Sequence, residues 1–123
     1  MKPKLLICLI SVGFHFHLDV YDCVVSLLKE VSVVVSTYSK DKLSQVLDCI
    51  KSLKCQSLPP KEIILVLDPD KDLVDFYKSC IPDGVKIVVS NQYGLSEARN
   101  TGVRNAEAEI IAFIDDDAMA DAS

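Results

Sequence analysis

Hydrophobic and polar positions follow two regimes along this chain, with the change near residue 30. From Val31 onward, short β-branched and aliphatic runs alternate with stretches in which apolar side chains recur every three or four positions. Runs of the first kind suit strands buried on both faces, and the spacing of the second suits amphipathic helices. Val31 to Val35 is the first predicted strand and leads into Ser36, Thr37 and Tyr38. The stretch from Asp41 to Ser57 then sets Leu43, Val46, Leu47, Ile50 and Leu53 on one helical face, until Leu58-Pro59-Pro60 stops it. Glu62 to Leu67 is the second strand and is followed by Asp68. Asp70 is placed to cap a short helix with Leu73, Phe76, Tyr77 and Cys80 on its inner face, and Ile81-Pro82-Asp83-Gly84 supplies a turn. Val85 to Val89 is the third strand and Ser90 to Leu95 a loop. Ser96 is read as the cap of a helix reaching about Ala106, and Glu109 to Ile114 as a fourth strand closed by Asp115, Asp116 and Asp117.

Strand and helix in strict alternation define an α/β domain, a mostly parallel open sheet of Rossmann-like type with helices on both faces. In such sheets ligands bind beyond the carboxyl ends of the strands, near the point where strand order reverses. Three of the four strands end in groups able to bind a ligand: Ser36 to Tyr38, Asp68, and the aspartate triplet. They are predicted to meet on one rim.

Residues 1–30 form an extension of different character, in front of a domain assigned to 31–123. Lys2 and Lys4 precede an apolar run from Leu5 to Phe14, which reads as a secretory leader, a buried strand, a membrane-touching segment or an upstream extension that packs loosely. It is too short to span a bilayer, which takes about 20 residues, and nothing downstream looks secreted. His15 and His17 alternate with Phe14 and Phe16, a pattern of strand surface rather than of metal ligands. Val20, Val24, Leu27, Leu28 and Val31 recur at helical spacing, so Asp19 to Glu30 is predicted as an amphipathic helix.

Composition narrows the function. The chain has 123 residues, 50% hydrophobic and 25% charged, which describes one globular unit rather than a disordered tail. A formal charge of -5 disfavours nucleic acid or an anionic membrane surface as an extended partner. Five cysteines without a C-x-x-C pair suggest neither a disulfide framework nor zinc, and fit reduced thiols in the cytoplasm. Cys49 and Cys80 fall on apolar helix faces as small core residues.

The acidic triplet is the strongest chemical signal. Three adjacent carboxylates repel one another unless a cation or hydrogen-bond donors offset the repulsion. Along an extended strand Asp115 and Asp117 share a side, so one or two carboxylates can hold Mg²⁺ or Mn²⁺ while diphosphate oxygens and water complete the shell. Upstream, Gly94 to Gly102 combines a flexible loop, a helix start and Arg99 one turn in, a combination suited to an anion. The small residues Ala98 and Gly102 would let that helix lie close to the sheet. Arg104 reads as a surface residue.

The run GLSEARNTGVRNAEAEIIAFIDDDA resembles the region of family 2 glycosyltransferases, of GT-A fold, that reads roughly G-x-x-x-A-R-N-x-G, then A-x-G, then a strand ending in D-x-D. The opening VSVVVSTYSKDKLSQVLDCIKSLKCQSLPPKEIILVLD resembles that family's first strand, helix and second strand, and together the two cover about Val31 to Asp117. The resemblance implies that Ser36, Thr37, Tyr38 and Asp68 hold the nucleobase. A flat Tyr38 ring suits stacking, and the Asp68 carboxylate accepts from a base N–H. It places Arg99 near the nucleotide, Asp115 or Asp116 near the ribose, and Asp117 with Asp115 on the metal. The implied chemistry is transfer of a sugar from a nucleotide diphosphate donor, UDP- or GDP-linked, to a hydroxyl of a sugar or lipid-linked acceptor, with inversion. The cytoplasm or the cytoplasmic face of the membrane is the implied setting.

Departures from the family pattern are Pro69, where a second acid is common, and Glu107-Ala108, where a glycine is common. The family's acceptor half and catalytic base have no counterpart up to Ser123. The expectation is therefore a fold incomplete at its C-terminus that binds nucleotide weakly with Mg²⁺ or Mn²⁺, transfers little sugar unaided, and self-associates through an open sheet edge. Two other classes share the sheet. A receiver-like signalling module would carry an acidic pair after the first strand, where this chain has Ser-Thr-Tyr, and a nucleotidyltransferase would carry a glycine-rich loop where Ser39-Lys40-Asp41-Lys42 stands.

Overall fold

The structure, a computed structural model, describes residues 5–9, 15–16, 31–56, 59–115 and 119–120. Among the described residues, strands and α-helices run in the order β1 (Leu5–Leu9), β2 (His15–Phe16), β3 (Val31–Thr37), α1 (Leu43–Lys54), β4 (Glu62–Leu67), α2 (Lys71–Cys80), β5 (Val85–Val89), α3 (Leu95–Asn105), β6 (Ile110–Asp115) and β7 (Met119–Ala120). Five of the strands make one parallel sheet in the order β1-β6-β3-β4-β5. A separate parallel pair joins His15 to Met119 and Phe16 to Ala120.

Alternation along each strand sends side chains to two separate cores. Val31, Val33 and Val35 of β3, with Ile63, Leu65 and Leu67 of β4, pack under α1 and α2 through Val46, Ile50, Leu53, Leu73 and Tyr77. On the opposite face Val34, Ile64, Val66, Ile111 and Phe113 meet α3 at Ala98 and Ala106. The crossovers from β3 to β4 and from β4 to β5 therefore cover one side of the sheet, and the crossover from β5 to β6 covers the other. Strand order reverses as the chain returns past β4 to lay β6 beside β3, and that reversal opens a crevice between the carboxyl ends of β3 and β6.

The apolar run near the amino terminus supplies a fifth strand. Leu5 to Leu9 pairs residue by residue with Ile110 to Ile114 on the outer edge of β6, while the rest of the apolar run, residues 10–14, lies outside the described residues. The helix expected over Asp19 to Glu30 lies outside the described residues. Among the described residues no helix is long and apolar enough to cross a membrane, and Cys49, Cys55 and Cys80 are free thiols.

Two helix starts differ from expectation. Ser39 accepts a hydrogen bond from the Asp41 amide and winds Lys40–Lys42 into a 3₁₀ turn, so α1 proper begins at Leu43 rather than Asp41. Its far end comes at Lys54, where the Cys55 amide still donates to Lys51 and the Gln56 side-chain amide folds back onto the Ser52 carbonyl. In α3 the cap is Gly94, not Ser96. Gly94 has φ +111°, a conformation that L side chains rarely adopt, and this turns the chain into the helix one residue ahead of the serine. Asp70 caps α2 as expected, accepting from the amides of Asp72 and Leu73.

At the amino ends of the strands, Glu62 binds the sheet together. One of its carboxylate oxygens accepts from Ser32 Oγ and from the Glu107 amide, both at 2.6 Å, while Ser32 Oγ accepts from the Ala108 amide at 3.1 Å. Glu107 and Ala108 are thus anchored through their backbone amides.

Candidate functional site

Parallel pairing brings three of the predicted groups to the same rim. Thr37 is the register partner of Leu67, so Tyr38 and Asp68 follow at adjacent strand ends, and Ser36 is the register partner of Asp115 across the crevice. Asp115 is the last residue of β6. Asp116 and Asp117 lie outside the described residues. Among the described residues no group of three or more His, Cys, Asp or Glu is placed to hold a metal ion.

The rim is graded from buried to open. Ser36 and Asp68 are half-buried, Thr37 is buried, and Tyr38 is 72% exposed. Among the described residues, Thr37 Oγ1 is buried without a hydrogen-bond partner. Buried hydroxyls normally find partners, so such an atom at a strand end is a place where a ligand's polar group can bond. Thr37 lies between the exposed ring of Tyr38 and the register partner of Asp115.

The amino terminus of α3 points to this rim because α3 follows β5. The first intrahelical bond runs from the Ala98 amide to Gly94, which leaves the amides of Leu95, Ser96 and Glu97 ahead of the hydrogen-bonded ladder. Arg99 sits one turn in, half-buried, with its guanidinium carbon 5.5 Å from the centroid of the Phe113 ring, a cation–π contact with the strand that leads into Asp115. Glu97 pairs with Arg104 at 2.8 Å rather than with Arg99, and Arg104 is an exposed surface residue, as its sequence position suggested.

Three aromatic residues at or beneath the rim carried no site role in the sequence alone. Phe113, read as a strand residue, carries Arg99. Tyr93, in the loop after β5, is 68% exposed and donates from its hydroxyl to the Pro69 carbonyl at 3.3 Å, beside Asp68. Tyr77, read as a core residue of α2, donates from its hydroxyl to the Ser39 carbonyl at 2.6 Å, beside Tyr38. A tyrosine at a position that phenylalanine or leucine would fill equally well is the signal that a hydroxyl has a partner.

Residues 32–122 match the family described as glycosyl transferase family 2. The chain belongs to that family. It is 30% identical over 95 residues to the glucosyl-dolichyl phosphate glucuronosyltransferase of Haloferax volcanii, covering 75% of this chain and 30% of that protein. It is 35% identical over 91 residues to the uncharacterized glycosyltransferase EpsJ of Bacillus subtilis, covering 71% of this chain and 26% of that protein. Among solved structures, the mannosyltransferase PcManGT from Pyrobaculum calidifontis, in complex with GDP-Man and Mn²⁺, shares 27% identity and a TM-score of 0.54 over 72% of this chain and 27% of its own. This chain thus spans less than a third of each of these proteins. These resemblances are all to glycosyltransferases, and the receiver-like alternative is not favoured.

Proposed function

We propose that this chain forms the donor-binding part of a glycosyltransferase that takes a sugar from a nucleotide diphosphate donor and passes it, with inversion, to an acceptor hydroxyl. The observation that carries this reading is the meeting of the β3, β4 and β6 carboxyl ends around the strand-order switch, with Ser36 in register with Asp115 and the neighbouring Thr37 hydroxyl buried without a partner among the described residues. Tyr38 stacks on the base, and Asp68, Ser36 and Thr37 hydrogen-bond to its edge. Arg99 and the leading amides of α3 face the phosphates, and Asp115 or Asp116 takes the ribose.

Asp117 and Asp115 would hold Mg²⁺ or Mn²⁺, for which carboxylate oxygens are the fitting donors. Such an ion, when bound, neutralises charge on the departing diphosphate. The presence of GDP-Man and Mn²⁺ in the Pyrobaculum mannosyltransferase supports both the donor class and the metal. The acceptor is a sugar or lipid-linked hydroxyl, and no role in activating it is proposed for the residues assigned here. The cytoplasm, or the cytoplasmic face of a membrane, suits its free thiols and its donor. Self-association would use an open edge of the described sheet, whose edge strands are β1 and β5.

The test is a thermal-shift and calorimetric screen of UDP, GDP and their sugars, with and without Mn²⁺. Metal-dependent stabilisation by at least one of them is the expected result. Indifference to every nucleotide, with acyl-phosphate labelling of an aspartate, would overturn the reading in favour of a receiver.

A further inference from the structure

The loop that carries Tyr38 is held from beneath by a helix that has no part in the rim itself. Tyr77 is fully buried in α2, yet its hydroxyl reaches across 38 positions of sequence to donate to the Ser39 carbonyl at 2.6 Å. The same carbonyl accepts from the Lys42 amide at 3.4 Å, and Ser39 Oγ accepts from the Asp41 amide at 3.1 Å, so Ser39 gathers three bonds at one point. Next to it, the Lys40 ammonium lies 5.6 Å from the centroid of the Phe76 ring, and Phe76 meets Tyr77 edge to face at 5.3 Å. On the other side of Tyr38, Thr37 is locked in the sheet opposite Leu67. Tyr38 is therefore an exposed ring whose backbone is anchored on both flanks.

We propose that Tyr77 is a positioning residue for the base-holding rim: by fixing the Ser39 carbonyl, its hydroxyl sets where the Tyr38 ring stands before a ligand arrives. The inference rests on the reading above in which Tyr38 stacks on a nucleobase. An exposed ring on a loose loop loses conformational freedom when it stacks, and an anchored loop has already lost it. Tyr77 touches no ligand in this arrangement and acts through the loop alone. Packing of its ring does not require the hydroxyl, and the Ser39 carbonyl keeps the Lys42 amide when that hydroxyl is removed, so the fold survives the deletion.

The experiment compares the wild-type 123-residue chain with Tyr77→Phe, Tyr38→Ala and the double variant, each with Mn²⁺. The probes are UDP and GDP, with inorganic pyrophosphate as a ligand that has no base. Tyr77→Phe is expected to weaken nucleoside diphosphate binding roughly threefold to tenfold, the worth of one hydrogen bond, and to leave pyrophosphate binding unchanged. In the Tyr38→Ala background the same substitution is expected to add nothing. Amide hydrogen exchange over Tyr38 to Lys42 should speed up while that of β3 does not. Equal losses for both kinds of probe, or full additivity with Tyr38→Ala, would overturn the proposal. A wild-type chain that binds no nucleoside diphosphate overturns the nucleotide reading and this role with it. Unchanged exchange over Tyr38 to Lys42, in a wild-type chain that does bind, overturns the role of Tyr77 alone.

Discussion

Gly102 of α3 lies so close to Val34 of β3 that a methyl group on its Cα would collide with both Val34 methyl carbons. Contact of that kind lets the helix backbone rest directly on the sheet, which brings the amino terminus of α3 and Arg99 down to the rim. Gly102→Ala gains about 1 kcal/mol of helix propensity but forces the helix away from a fully packed strand, at a cost of roughly 1–3 kcal/mol. A net loss of stability is expected by denaturant titration. In a Val34→Ala background, which removes the opposing methyls, the same substitution should be neutral or stabilising.

Tyr38 is exposed enough that its ring contributes little to the fold. Tyr38→Ala should shift stability by no more than about 0.5 kcal/mol while weakening nucleoside diphosphate binding by about 1–3 kcal/mol, the usual worth of one base stacked on an aromatic ring. Tyr38→Phe should retain most of the affinity. Calorimetry on the three proteins checks both halves, and equal affinities for all three would remove Tyr38 from the site.

Asp117 is assigned to the metal. With Asp117→Asn, nucleoside diphosphate binding should become the same with and without Mn²⁺, whereas Asp116→Asn should keep a metal response. Titrating Mn²⁺ at fixed nucleotide measures this, and a persistent Mn²⁺ response in Asp117→Asn would transfer the ligand role to its neighbours.

Glu62 offers a contrast, since it works at the opposite ends of the strands. Its carboxylate accepts two short hydrogen bonds and lies 3.9 Å from the Lys86 ammonium. Glu62→Ala should destabilise the chain by about 1.5–3 kcal/mol, the range for hydrogen bonds to a charged acceptor. Nucleotide affinity measured well below the melting temperature should not change.

Legibility in the sequence followed the range of the interaction. Glu62–Leu67 and Val85–Val89 begin and end where their aliphatic runs do, because neighbouring turn residues bound them, and the Asp70 cap acts within three positions of itself. The α3 start was displaced because a left-handed glycine turn outweighs a nearby serine, a contest that residue type alone does not decide. Which strand neighbours which was not readable either. Alternation of strand and helix defines the class, but the placement of β6 against β3 and of Leu5–Leu9 against β6 is settled by faces that meet only in three dimensions. The rim of Ser36, Thr37, Tyr38, Asp68 and Asp115 was legible because parallel strands must all end on one side. The hydroxyl of Tyr77 was not, since its partner is far away in sequence and is a backbone atom, which leaves no trace in residue identity.

The adjacency of β1 and β6 has a consequence for synthesis. Leu5–Leu9 leave the ribosome ahead of the other strands of this sheet, while their register partners Ile110–Ile114 are added about a hundred residues later. At roughly 5–20 residues per second, translation leaves that greasy opening segment without its neighbour for about 5–20 s. During that interval it is available to chaperones, to a bilayer surface or to nascent copies on the same message, so the earliest-made part of the sheet is the last to be installed.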